Sequence, residues 1–171
     1  MMLQEIRLMP KSIDSFSFLL LSLMLLDGIV QAEEQQEASE AAREKRERAF
    51  TEMLANVDLI GTYTQNEAGK ESKKERYTIY RVVKIPGQDH LWRFDVRMQF
   101  GSVDLRLPLP LTVRWAQDTP MVILDDTKIP GLGTFSAKVL FDKNRYAGTW
   151  QHGSEGGHLF GDIIKQKPAD K

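Results

Sequence analysis

Trp92-Arg93-Phe94-Asp95-Val96-Arg97-Met98-Gln99-Phe100 puts a large apolar side chain on every even position and a charged or amide side chain on every odd one. Successive side chains of a strand leave on opposite faces, so this stretch predicts a strand with one buried and one wet face. The same period continues outward. Val103, Leu105 and Leu107 alternate with Asp104 and Arg106. Phe135, Ala137, Val139 and Phe141 alternate with Ser136, Lys138 and Leu140. Tyr146, Gly148, Trp150 and His152 alternate with Ala147, Thr149 and Gln151. Further strands are expected at 57–64, 76–84, 111–116, 120–125 and 158–165.

The connections carry turn chemistry. Pro86-Gly87 suits a type II turn, in which proline fixes φ and glycine accepts φ > 0. Asp142-Lys143-Asn144-Arg145 suits a tight hairpin. Pro130 to Gly133 and Gly153 to Gly157 read as loops, and residues 65–75, QNEAGKESKKE, as a longer polar loop. Short strands joined by short turns predict a meander. Eight or so such strands would curl and close, which removes exposed edges. The expected fold is therefore all-β, one antiparallel barrel of about eight strands over residues 56–166, with an open β-sandwich as the structural alternative. Leu107-Pro108-Leu109-Pro110-Leu111 interrupts the pattern. Two prolines cannot donate to a ladder, so a strand break, a bend or a free edge is expected there.

The N-terminal third has a different texture. Arg7 and Lys11 precede an apolar run from Phe16 to Leu26, and Val30 and Ala32 stand before a polar stretch beginning at Glu33. That is the three-part pattern of a secretory signal, expected over 1–32, with Met1 or Met9 as its start. The apolar run is shorter than the ~20 residues that span a bilayer. Residues 33–55, EEQQEASEAAREKRERAFTEMLA, hold seven acidic and four basic side chains with no Gly or Pro. They predict a solvated helix whose final turns dock through Phe50, Met53 and Leu54. Residues 167–171 read as a disordered tail.

Of the 171 residues, 42% are hydrophobic and 27% charged, and none is cysteine. Such a chain buries a core without disulfides. Residues 1–32 hold two of the 23 basic and three of the 24 acidic side chains, which leaves the remainder balanced. There is no electrostatic footprint for nucleic acid.

At Gly61-Thr62-Tyr63, in the first strand after a helix, the chain resembles the calycins, the lipocalin-like and avidin-like barrels that begin with a Gly-x-Trp strand. Tyr63 stands where those barrels carry Trp. The resemblance implies an eight-stranded meander, with Gly61 leaving room for close packing at the barrel base and Tyr63 plugging that end.

Several constellations bear on chemistry. The row Trp92, Phe94, Trp150, with Phe100 and Trp115, would either line a ligand cavity or fill the core. Arg81 depends on the face of its strand. With Tyr77, Ile79 and Val83 inside, it would offer a guanidinium to a carboxylate such as that of a fatty acid. With Thr78, Tyr80 and Val82 inside, it is a surface cation, the placement favoured because unpaired buried charge is costly. His152, Glu155 and His158 are of the types zinc accepts, yet their spacing matches no zinc signature. Asp125, Asp126 and Asp142 sit at turns, where Asp serves backbone needs. There is no Gly-x-Ser-x-Gly elbow. The leading expectation is a non-enzymatic exported protein, periplasmic or extracellular, with no cofactor, that binds a small apolar or amphiphilic ligand. The alternatives are a cell-envelope interaction module and a metal-dependent hydrolase.

Overall fold

The computed structural model describes residues 15–66 and 71–167, with side chains from residue 31 onward. The chain divides into two compact units, Met1–Lys45 and Arg46–Lys171. The described residues of the first are helical. Helix α1 runs Ser15–Leu54, without interruption through Ala32, and its residues 31–45 are exposed. Residues 1–14 of the expected signal, and 168–171 of the expected tail, lie outside the described residues. Among the described residues, no helix is long and apolar enough to cross a membrane.

The second unit contains the last turns of α1 and eight strands: β1 (Val57–Tyr63), β2 (Lys73–Lys84), β3 (Leu91–Phe100), β4 (Val103–Ala116), β5 (Thr119–Ile129), β6 (Gly133–Asp142), β7 (Arg145–His152) and β8 (Glu155–Lys165). Each pairs antiparallel with the next. β1 also pairs with β8, from Val57 opposite Lys165 to Tyr63 opposite Leu159, which closes the barrel. The sandwich alternative is thereby excluded. Closure leaves β1 and β8 no free long edge, a source of stability open to a chain without disulfides.

Turn chemistry sets the register. The Gln88 N–H donates to the Ile85 carbonyl across Pro86-Gly87, and Gly87 takes φ +73°, as the third residue of a type II turn requires. Asp142 pairs with Arg145, so Lys143-Asn144 is a two-residue connection. At the other end Gly153-Ser154 suffices. Glu155 already pairs with His152, so Gly156 and Gly157 belong to β8 rather than to a loop.

The two prolines do not break β4. Pro108 pairs with Asp95 and Pro110 with Arg93. The Val113 N–H donates to the His90 carbonyl, so odd residues of β4 direct their N–H groups toward β3 and even residues away from it. Pro108 and Pro110 thus face β5, whose pairing with β4 covers only Thr112–Ala116. Of the three expectations, a local free edge is what forms.

One end of the barrel is closed by α1. Phe50 is 2% exposed and makes T-shaped contacts with Trp92, Phe94 and Trp115, at centroid distances of 5.2, 6.2 and 5.5 Å. Leu54, Val57, Val82 and Val113 are fully buried beside it. Asn56 ends the helix at φ +51°, and Lys165 Nζ donates to the carbonyls of Glu52 and Ala55, satisfying acceptors that a helix C-terminus leaves open. Lys84 pairs with Glu47 at 2.6 Å.

Candidate functional site: a cavity with a buried carboxylate

Alternation on each strand aims one set of side chains inward, and from mid-barrel to the end opposite Phe50 they do not fill the space. A cavity of about 400 Å³ remains. Its walls are mainly apolar, with Leu59, Ile79, Val96, Met98, Leu111 and Val139 among them. It reaches the end that carries the β1–β2, β3–β4, β5–β6 and β7–β8 connections. There Gln65, Lys73, His152 and Glu155 stand in its lining.

Inside this apolar wall lies one buried carboxyl group. Glu75 is 4% exposed. Its Oε2 accepts from the Tyr77 hydroxyl and its Oε1 from the Tyr146 hydroxyl, each at 2.8 Å. The strand registers explain how Tyr146 reaches it. Glu75 pairs with Gly61, Gly61 with Gly161, and Gly161 with Tyr146. Directly opposed residues share a face, so all four point inward in one row. β7 and β2 are three strand spacings apart, about 14 Å along the wall. Wall curvature shortens that path, and the two glycines leave it clear. A Cβ on Gly61 would collide with the Tyr146 hydroxyl and the Phe160 carbonyl.

The electrostatics follow from burial. Desolvation pushes the Glu75 carboxyl above its ordinary range, against the pull of the two hydrogen bonds from Tyr77 and Tyr146. Burial and then the Glu75 charge push the Tyr77 and Tyr146 phenols well upward, so both remain donors at neutral pH. Tyr63 is raised by burial, then by Glu75 and Glu155. At the rim, Gln65 Nε2 donates to Glu155 Oε2 at 2.9 Å, and Trp150 Nε1 donates to the Thr64 carbonyl at 3.0 Å. The His152 ring stacks flat on Phe135, 4.2 Å between centroids.

The structure places the sequence-predicted residues as follows. Phe94 and Trp150 line the cavity. Trp92 does not; it is packed under Phe50 at the closed end. Arg81 is exposed and lies outside the cavity lining. Tyr77 and Ile79 do face inward, but a register shift between Ile79 and Arg81 reverses the alternation, so Val82 rather than Val83 is buried. Gly61 gives close packing, though against Tyr146 in the barrel wall. Tyr63 packs against Phe100 and Trp150 in the cavity half, and the plug of the base is Phe50. His152 and Glu155 pair across β7 and β8 and both line the mouth. His158 pairs with Thr149, one position out of phase, and stands exposed on the outer face. The three are therefore not brought together, and among the described residues no group of three metal-ligating side chains forms. Asp126 sits at a β5 bulge with φ +42°, bonded to Ser136.

Glu75 was hidden in the polar run 65–75. The signal that finds it is the inward phase of Tyr77 and Ile79, extended back by two residues.

Compared with protein-family models, with curated proteins and with solved structures, the chain gives no match in any of the three.

Proposed function

We propose that this chain is a binding protein for a small, mainly apolar molecule that occupies the barrel interior, and that it belongs to the calycin-like barrels. The observation that carries the reading is the cavity itself: about 400 Å³, walled by aliphatic and aromatic side chains, with its few polar groups gathered at Glu75 and at the mouth. Ligand sites typically occupy about 300–1,000 Å³ and combine an apolar lining with a few placed polar groups. A core that served only packing would interdigitate and leave few voids larger than a water molecule. Export through residues 1–32 is part of the same proposal, giving a periplasmic or extracellular carrier whose chain begins near Glu33.

Trp150 lies in the cavity lining and supplies the test. Titration with decanol is expected to change tryptophan emission saturably at one site per chain. A linear, non-saturating response would end the proposal. The export component is read from the N-terminal sequence of the protein recovered outside the cytoplasm; a product retaining residues 1–32 in the cytoplasm would remove it.

A further inference from the structure

The inference here rests on the binding reading above and concerns what the occupant must carry. A carboxylate offers about four acceptor positions. On Glu75 two are taken, one on each oxygen, both by phenol donors. Both contacts are ones a carboxylate accepts, so they favour the charged form against the desolvation that disfavours it. Among the described residues no cation pairs with that charge: the ion pairs are Arg76–Asp58, Lys84–Glu47, Arg93–Asp95 and Arg97–Asp104, and Glu75 belongs to none. Lys73, two residues back on the same face of β2, is exposed at the mouth. The other titratable groups that face the cavity are Tyr63, Tyr77, Tyr146, His152 and Glu155.

A buried charge is stable when paired and hydrogen-bonded, and costly when neither. We propose that the cavity takes a cationic amphiphile, a protonated primary amine on an aliphatic chain, with the ammonium seated against Glu75 and the chain along the aliphatic wall. The ammonium supplies the missing charge and donates to the oxygen lone pairs that Tyr77 and Tyr146 leave open. The rings of Tyr63, Phe100 and Trp150 cluster in the same half of the barrel and line the cavity, and aromatic rings attract cations over their faces. A carboxylate ligand at this depth would meet Glu75 as a like charge. Because burial raises the Glu75 carboxyl and an ammonium pairs only with its ionised form, amine affinity rises with pH through the Glu75 titration.

The experiment compares decylamine, decanol and decanoate on the purified full chain by tryptophan emission and calorimetry. Decylamine is expected to bind about tenfold or more tightly than decanol, the scale of a hydrogen bond to a charged group, with decanoate weakest. Glu75→Gln is expected to bring decylamine down to the level of decanol. If decanol binds as well as decylamine, the amine inference falls while the cavity reading stands. If decanoate binds tightest, Lys73 rather than Glu75 selects the ligand, and the inference also falls. If none of the three saturates, both fall. The comparison among probes and its pH dependence use the unmodified chain, so misfolding of the variant cannot mask the outcome.

Discussion

The Tyr146 hydroxyl donates to Glu75 Oε1 at 2.8 Å across two intervening strands, each of which presents a glycine at the crossing. This contact joins β7 to β2 through the interior instead of along the sheet. It holds a carboxyl group in an apolar chamber, with two of its about four acceptor positions taken by phenols. The placement of this carboxyl group thus depends on the absence of two side chains.

Gly61→Ala tests that dependence. Its methyl group would meet the Tyr146 hydroxyl and the Phe160 backbone carbonyl, and the backbone cannot yield without disturbing β8. Overpacking of this kind costs about 1–3 kcal/mol, measurable by urea denaturation. Tyr146→Phe, which leaves Glu75 Oε1 without its donor, is expected to cost about 1–3 kcal/mol. The double variant should lose less than the sum, because both changes break one contact. Full additivity would show that Gly61 matters for a different reason.

Phe50 is the second dependence. It is buried against Trp92, Phe94 and Trp115 and belongs to the helix, not to the sheet. Phe50→Ala is expected to lower unfolding free energy by about 3–5 kcal/mol. Near-UV circular dichroism of the tryptophans should weaken with it. A change below about 1 kcal/mol would mean that the barrel base closes without the helix.

How much of this was legible in the sequence depends on which physical period governed each segment. Trp92 to Phe100 announced its strand because one wall faces water and the other a core, and Phe50, Met53 and Leu54 announced docking because a helix gathers such positions on one side. Closure followed from strand number. The cost of an unpaired buried charge favoured the surface for Arg81, where it lies, but the faces of its strand were not legible: a bulge inserts one residue and reverses them beyond it, and nothing in Thr78 to Val83 marks the insertion. Glu75 was obscured by lysines and arginine on either side, whose charges resemble a loop although β2 has already begun at Lys73. Pro108 and Pro110 were ambiguous because strand pairing, not composition, decides whether a missing N–H is needed. A cavity and a filled core stayed open alternatives, since a void depends on how large side chains miss one another across a closed wall.

Two carboxyl groups should give the stability opposite slopes with pH. Burial raises Glu75 above its ordinary value, so its favourable contribution is present below about pH 4.5 and is lost as pH rises through the raised value. Asp58 is also pushed up by burial, but hydrogen bonds from Arg76, Thr78 and Gln166 outweigh this and hold it below its ordinary value. Its contribution is present above about pH 3.8 and is lost as pH falls through the lowered value. Thermal melts across the acid and neutral range should show Glu75→Gln flattening the decline on the neutral side and Asp58→Asn flattening the decline on the acid side. Unchanged slopes in either variant would assign that slope to other groups.

Ala137 faces the cavity from β6, half-buried, with Phe135 and Val139 on the same face. Ala137→Phe sends a ring into space already empty, so the overpacking that afflicts a filled core does not arise. Stability is expected to hold or to rise by about 1 kcal/mol from the added apolar burial. Occupancy should suffer instead, with decanol affinity falling about tenfold as volume is withdrawn. Leu140, three residues along, points outward and is exposed, so Leu140→Ala should leave decanol binding as it is. Emission titrations on the two variants separate the inner wall from the outer. If Ala137→Phe binds decanol like the parent chain, the molecule sits elsewhere than in the barrel.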